Sequence, residues 1–307
     1  MKKILVIGSF MTDLVFKTSK MPSKGETYIG EQYEKYTGGK GANQAVAASR
    51  LGADVSMIGK LGYDEFGREH IEKLKEENIG HGGVLFDSTA RTGVGNVTID
   101  DAGDNKIIVV PGANLTLNES DIEQHKQLIK DSDIVVLQLE IPIDIVYQCI
   151  DLAEEYGKTI ILNPAPAQII DEQIAKKVDY FIPNEVESCL LTGQKVEGVD
   201  DARTAAQILL NQGYQNVIVT LGDKGAIYTG EGVEEYFDPL EVKAVDSTAA
   251  GDSFIGTFAY GLSMDWNLAD IMETAIRASA CTVTKLGAQP SLPAWTDIEN
   301  MKATAKF

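Results

Sequence analysis

Short apolar runs alternate with amphipathic segments along most of this chain, and that alternation leaves it few folds. Strand-like runs lie at Ile4–Ile7, Val55–Leu61, Ile134–Leu139, Thr159–Leu162, Tyr180–Ile182 and Val217–Leu221. Helix-like runs fall between them, at Asn43–Leu51, Glu65–Glu77, Ile143–Glu155 and Ala202–Asn211. Phe254–Leu262 and Leu268–Thr284 close the pattern as two more helices. Parallel strands need a long crossover, usually a helix, so this order argues an α/β fold with a mostly parallel sheet. Two stretches break the order. Leu14–Thr37 and Ala90–Val110 are rich in Thr, Val, Ile and Tyr, with turn signals at Pro22–Gly25 and Asp100–Asn105. They read as β-structure apart from the main sheet, or as hairpins on its edge. No internal repeat, low-complexity segment or linker is visible, and a chain of 307 residues could hold one large domain or two.

Charge narrows the function. The formal net charge of −19 argues against nucleic acid and anionic membrane surfaces as partners. An anionic substrate would then need local donors and a metal ion. The run Ile4–Ile7 is too short for a signal peptide, and no apolar run approaches membrane-spanning length. Cys149, Cys189 and Cys281 show no metal or redox spacing and fit reduced thiols in a cytoplasmic protein. His70, His81 and His125 lie in dispersed polar contexts and are expected at the surface.

The chemistry concentrates in Asp246–Gly256. Small residues (Ala249, Ala250, Gly251) lead to Asp252, and an apolar helix-like segment follows. Free N–H groups and the positive dipole end at a helix N-terminus favour an anion. A carboxylate inside such a site repels phosphate. It makes sense as a base that takes a proton from a hydroxyl while N–H groups hold a phosphoryl group. Alone, the stretch reads equally as a capped helix after a small-residue turn. A second motif, Gly38-Gly39-Lys40-Gly41-Ala42-Asn43-Gln44, opens a helix that Gly52 closes. It matches neither the phosphate-loop nor the dinucleotide fingerprint. By itself it could be a glycine-rich turn.

Together the two motifs resemble the ribokinase-like carbohydrate kinases, also called the phosphofructokinase-B family, over essentially the whole chain. Gly8–Asp13, Gln138-Leu139-Glu140, Asn163–Ala167, Pro183–Glu187, Thr220–Gly225 and Gly287–Ser291 match as well. Within the family the resemblance is to ribokinases and deoxyribokinases. It implies a single domain over residues 1–307, a three-layer α/β sandwich with a mostly parallel central sheet. It also implies a small β-sheet lid, about residues 10–37 and 88–110, that covers the sugar and packs against a second subunit as a homodimer. The implied reaction is ATP- and Mg²⁺-dependent phosphorylation of the 5-hydroxyl of ribose, with 2-deoxyribose the near alternative. A sugar sensor without catalysis would be a third reading.

The resemblance assigns residues too. Met11, Thr12, Asp13, Gly39, Lys40, Gly41, Ala42, Asn43 and Glu140 would bind the sugar. Asp252 would be the general base, with Ala249, Ala250 and Gly251 offering N–H groups to the transferring phosphoryl. Asn184 and Glu187 would organise Mg²⁺ and the nucleotide phosphates, directly or through water; as residues they also read as a helix cap. Thr220, Leu221, Gly222, Asp223, Lys224 and Gly225 would cradle the nucleotide, with Ile276 beside the adenine or simply in the core. Asp246, Thr248, Thr282, Lys285, Gly287 and Ser291 match a K⁺ site, or else form a loop packed on the active site. One departure stands out. Many ribokinases carry Asn where this chain has Met11. A thioether is a poor partner for a hydroxyl, so Met11 suits a sugar lacking one, or packs beneath the sugar.

Overall fold

The computed structural model describes residues 1–102 and 104–304. In chain order the elements begin β1 (Lys3–Ile7), β2 (Met11–Thr18), β3 (Gln32–Gly38), α1 (Lys40–Arg50), β4 (Asp54–Gly62), α2 (Glu65–Glu76) and β5 (Gly80–Asp87). Next come β6 (Gly93–Asp100), β7 (Asn105–Val110), α3 (Glu119–Asp131), β8 (Ile134–Leu137), α4 (Ile143–Glu155) and β9 (Thr159–Leu162). Then follow α5 (Glu172–Ala175), β10 (Tyr180–Phe181), α6 (Glu185–Thr192), α7 (Val199–Asn211) and β11 (Asn216–Thr220). The chain closes with β12 (Ala226–Gly230), β13 (Val233–Phe237), α8 (Ala250–Ser263), α9 (Leu268–Val283) and α10 (Trp295–Thr304).

Among the described residues one sheet runs β13-β12-β11-β10-β9-β8-β1-β4-β5. The neighbours from β5 across to β11 pair in parallel, and β12 and β13 add an antiparallel hairpin at one edge. Side chains along a strand alternate between faces, and here each face has its own core. Ile4, Val6, Ile134 and Val136 pack with α1, α8 and α9, whereas Leu5, Ile7, Val135 and Leu137 pack with α3, α4 and α7. Helices on both faces of a buried sheet make the expected three layers. Each fully buried aliphatic side chain contributes about 1.5–3 kcal/mol, which is why the parallel strands read as unbroken apolar runs.

A second sheet, β3-β2-β6-β7, stands apart from the first. Asp13 on β2 pairs with Tyr36 on β3 and with Gly95 on β6. This is the β-structure that broke the alternation. Its outer strand β7 exposes Ile107, Ile108, Val109 and Val110 at 52–66% of their surface.

The six expected strands are all present, shifted by a residue or two at their ends. The alternation missed α3, α5, α6, α10, β5 and the β12–β13 hairpin. In α3 the reason is a thin apolar face: Ile122 and Ile129 are its buried residues. One expectation fails outright. His70 is not at the surface; it is 1% exposed, its ring 5.3 Å from that of Phe10 and its Nε2 3.3 Å from Thr12 Oγ1. Burial pulls its pKa down to about 4, so it is neutral.

Candidate active site

Strands β1 and β8 are parallel neighbours, with Ile7 opposite Leu137, so the loops after them open at one sheet end. Ligands of such sheets bind beyond the carboxyl ends of the strands. Ser9 follows β1, and its hydroxyl donates to Glu140 Oε2 at 2.5 Å. The backbone N–H of Lys40 donates to that same oxygen at 3.1 Å, which pins the first turn of α1 across the end of β8. Gly39 makes the turn into α1 with φ 92°, where a side chain would be strained; its added Cβ would lie 2.7 Å from Met11 N.

Helix α8 lies against α1 at Gly256, where a Cβ would come within 2.6 Å of Ala47 Cβ and Gln44 O. This close approach brings two amides of α1 onto Asp252, which is only 7% exposed. Asn43 Nδ2 donates to Asp252 Oδ2 at 2.9 Å, and Gln44 Nε2 donates to Oδ1 at 3.0 Å. Burial raises the pKa of Asp252, while Lys40 and these two amides pull against it. Ala249 caps α8 in the left-handed region at φ 62°, a costly conformation for a residue with a Cβ. The N–H of Ala250 donates back to Ser247 O at 3.2 Å. That turn leaves the N–H groups of Gly251 and Asp252 at the helix start without an acceptor among the described residues. A Cβ added at Gly251 would meet nothing within 4 Å.

In front of these groups is a cavity of about 210 Å³, lined among others by Lys40, Asn184, Glu187, Thr220, Gly251 and Asp252. Burial works against the Lys40 ammonium, but Asp252, Glu140 and Glu187 outweigh it and hold its pKa above the ordinary lysine range. Lys40 is therefore a fixed positive charge beside the base. Asn184 and Glu187 cap α6 reciprocally, Glu187 accepting from Asn184 N at 2.9 Å and Asn184 Oδ1 accepting from Glu187 N at 2.8 Å. Burial raises the pKa of Glu187.

Asp13 differs from Asp252. Its oxygens sit against the Cα atoms of Gly38 and Gly95, where a Cβ would collide with them. It has no hydrogen-bond or ion-pair partner among the described residues. Burial first, then Glu140 and Asp252, push its pKa up to about 6. Asn43 Oδ1 is also buried without a partner. Met11 is 6% exposed, and its sulfur lies where a Cβ on Gly93 would sit.

The structure does not draw every expected residue to the cavity. Asp223 and Lys224 are exposed on the turn after β11, and Lys224 Nζ donates to Glu197 O at 2.6 Å. Ile276, on α9, packs against the core. The Asp246 carboxylate accepts from Thr248 N, Thr248 Oγ1 and Gly287 N at 2.6–2.9 Å. Burial would raise its pKa, but these bonds outweigh burial and hold it low. Thr282 and Ser291 donate their hydroxyls to Ala278 O and Ala288 O. Lys285 lies 3.5 Å from Asp297 on α10. Sequence reasoning passed over Ser9, Gln44 and Asn163 as site residues. The available signal was that Ser9, Gln44 and Asn163 fall inside the matched segments, and buried polar groups need partners.

A buried carboxylate at a helix N-terminus, a lysine held charged beside it and a second sheet with an unpartnered carboxylate suit a phosphotransferase acting on a hydroxyl compound. The chain belongs to the pfkB family of carbohydrate kinases, whose pattern matches residues 1–295. It is 38% identical over 303 residues to a bifunctional ribokinase/ribose-5-phosphate isomerase A of Fructilactobacillus sanfranciscensis, covering 98% of this chain and spanning 56% of that longer protein. It is 38% identical over 291 residues to a deoxyribokinase of Salmonella typhimurium, covering 94% of this chain and 95% of the relative. Among solved structures, a ribokinase of Thermotoga maritima superposes with a TM-score of 0.90 at 35% identity, covering 99% and 100% of the two chains. An Arabidopsis thaliana ribokinase complexed with ribose and ATP gives 0.91 at 27% identity, covering 98% of each chain.

Proposed function

We propose that this chain is one kinase domain that transfers the γ-phosphoryl of ATP to the 5-hydroxyl of D-ribose, giving ribose 5-phosphate and ADP. The observation that carries the reading is Asp252, held by two amides at the start of α8 beside free N–H groups. Asp252 accepts the proton of the sugar hydroxyl as its oxygen attacks the γ-phosphorus and the bond to ADP breaks. Gly251 N–H, Asp252 N–H and the Lys40 ammonium meet the charge that spreads over the transferring phosphoryl. Asp13, the free Asn43 carbonyl and Glu140 accept from the other hydroxyls, and closure of the lid keeps water out. The residues of the Thr220 strand end and Asn184 hold the nucleotide.

Mg²⁺ fits this arrangement as an ion that arrives with the nucleotide. Among the described residues no group of three His, Cys, Asp or Glu could cage a metal. Asn184 and Glu187, engaged with each other, suit contact through water. Bound there, Mg²⁺ would neutralise phosphate charge. K⁺ belongs to the proposal at the Asp246–Gly287 loop. Lys285, drawn to Asp297, leaves that role open. Equal rates with and without K⁺, in enzyme stripped of monovalent cations, would remove it. We place the enzyme in the cytoplasm as a dimer joined through β7, whose apolar face supports such a contact. A monomer mass by light scattering at micromolar concentration would refute the dimer, and localisation of a tagged chain outside the cytoplasm would refute the compartment.

The deciding experiment is a coupled ADP-release assay with ribose, 2-deoxyribose, fructose and adenosine side by side. Ribose should give the highest kcat/KM. Met11, which offers no hydrogen-bonding group of ribokinase type, favours 2-deoxyribose as the second reading. Binding of ribose without ADP release would leave a sensor instead of an enzyme.

A further inference from the structure

Behind Asp252 lies a chain of buried amides whose orientations are fixed from both ends. The carbonyl of Ile182 can only accept, so Asn163 Nδ2 faces it, at 3.0 Å. Asn163 Oδ1 therefore faces Gln44 and accepts from its Nε2 at 3.2 Å. The second hydrogen of that nitrogen goes to Asp252 Oδ1 at 3.0 Å. Gln44 Oε1 then points the other way and accepts from Gln138 Nε2 at 2.6 Å. Gln44 and Gln138 are fully buried, and Asn163 is 7% exposed. A flip of Gln44 would set its oxygen against a carboxylate and against the Asn163 oxygen, so the network admits one arrangement.

We propose that Gln44 is a positioning residue for the base: it fixes the plane of the Asp252 carboxylate, favours its ionised form, and leaves the remaining lone pair of Oδ2, which already accepts from Asn43 Nδ2, for the sugar hydroxyl. This rests on the kinase reading above and deepens it. A hydrogen bond to an ionised group is stronger than one to its neutral acid, so Gln44 opposes the burial that raises the pKa of Asp252. The other charges facing Asp252 are Lys40, which helps, and Glu140, Asp13 and Glu187, which oppose. Asn43 alone would leave one carboxylate oxygen undressed and free to rotate.

The test is Gln44→Met, similar in length but without a donor, beside Gln44→Glu and Gln138→Met. In Gln44→Met, kcat at pH 7 should fall roughly ten- to a hundredfold, the loss of one charge-assisted hydrogen bond. The KM values for ribose and ATP should stay within about twofold. Part of the lost kcat should return as the pH rises towards 9, because the base then titrates higher. Gln44→Glu should lose at least as much. Gln138→Met, which only frees Gln44 to rotate, should lose less in the same direction. In parallel, carbon-13 NMR of labelled aspartates reads Asp252 directly, and its midpoint should move up by about one pH unit or more in Gln44→Met. A folded Gln44→Met with wild-type kcat and pH profile would overturn the proposal, as would an unmoved Asp252 midpoint. Wild-type protein inactive with every pentose would fail the kinase reading instead, and the NMR midpoint would still decide the role of Gln44.

Discussion

Two carboxylates that feel each other's charge, Asp252 and Asp13, are prepared in opposite ways. Asp252 has a donor on each oxygen and a cation nearby. Asp13 has neither, and its surroundings penalise its charge. On the kinase reading proposed above, the phosphoryl side is therefore complete in the free protein, its dipoles already aimed where charge would develop. On that reading the sugar side is left unsatisfied, and the sugar's hydroxyls would supply what is missing. Preorganisation of the first kind lowers the barrier of the chemical step. Strain of the second kind costs folding free energy and returns it on binding.

The contrast breaks most visibly at Asp252. In Asp252→Asn the sugar pocket stays intact while the proton acceptor is lost, so kcat should drop by roughly 10²–10⁴-fold. Ribose affinity, measured by calorimetry, should change far less. Retention of more than about a tenth of the wild-type kcat, with chemistry rate-limiting, would show that Asp252 is not the base.

Asp13→Asn should act in the opposite sense, costing binding and adding stability. The folded-state pKa of Asp13 is about 6, above the ordinary aspartate value of 3.8. Between those two pH values the folded protein keeps a proton that the unfolded chain has lost, so stability falls as pH rises through that window. The full cost is present above about pH 6 and is gone below about pH 4. At about 1.4 kcal/mol per unit, removing this charge should stabilise the free protein by up to ~3 kcal/mol at pH 7–8. Ribose KM should rise about tenfold or more, the loss of hydrogen bonds to a charged acceptor. For the wild type, kcat/KM should fall as the pH drops below about 6, because protonated Asp13 accepts fewer bonds. A variant whose Tm gain is the same at pH 4 and pH 8 would contradict this account.

This division also explains what was legible in the sequence. Ala249–Asp252 and Gly39–Asn43, which the kinase reading assigns to the phosphoryl and to the sugar, are contiguous stretches where backbone geometry follows from small residues, so residue order reveals them. The sheet was legible because Ile4–Ile7 or Ile134–Leu137 is apolar on both faces. The amide network was not, because Gln44, Gln138 and Asn163 meet only after β8 and β9 align beside α1. The burial of His70 was hidden for a related reason. Its partners, Phe10 and Thr12, lie some sixty positions away and come beneath it only when β2 leaves the main sheet for the lid. An apolar lid surface for a second subunit was expected, but that Ile107–Val110 of β7 would carry it was not, since these residues read like any buried strand until the sheet ends beside them.

The smallest expected effect sharpens the comparison at Met11, the neighbour of Asp13 on the same face of β2. Met11 pairs across the lid sheet with Gly38 and Gly93, and its buried sulfur offers the sugar no strong hydrogen bond. On the kinase reading, Met11→Asn brings an amide beside the sugar. The amide gains a partner when the sugar carries a 2-hydroxyl and stays unpaired when it does not. An unsatisfied buried polar group costs roughly 1–3 kcal/mol, or about one to two decades in the ratio of kcat/KM for ribose over 2-deoxyribose. The variant should therefore shift towards ribose, mainly by losing 2-deoxyribose. The measurement is that ratio in both proteins, with Asp13→Asn as the reference for a general loss of sugar binding. A ratio unchanged in a folded, active Met11→Asn would mean that position 11 does not read the hydroxyl. Discrimination would then rest with Asp13 and Asn43, the groups the free protein leaves unsatisfied.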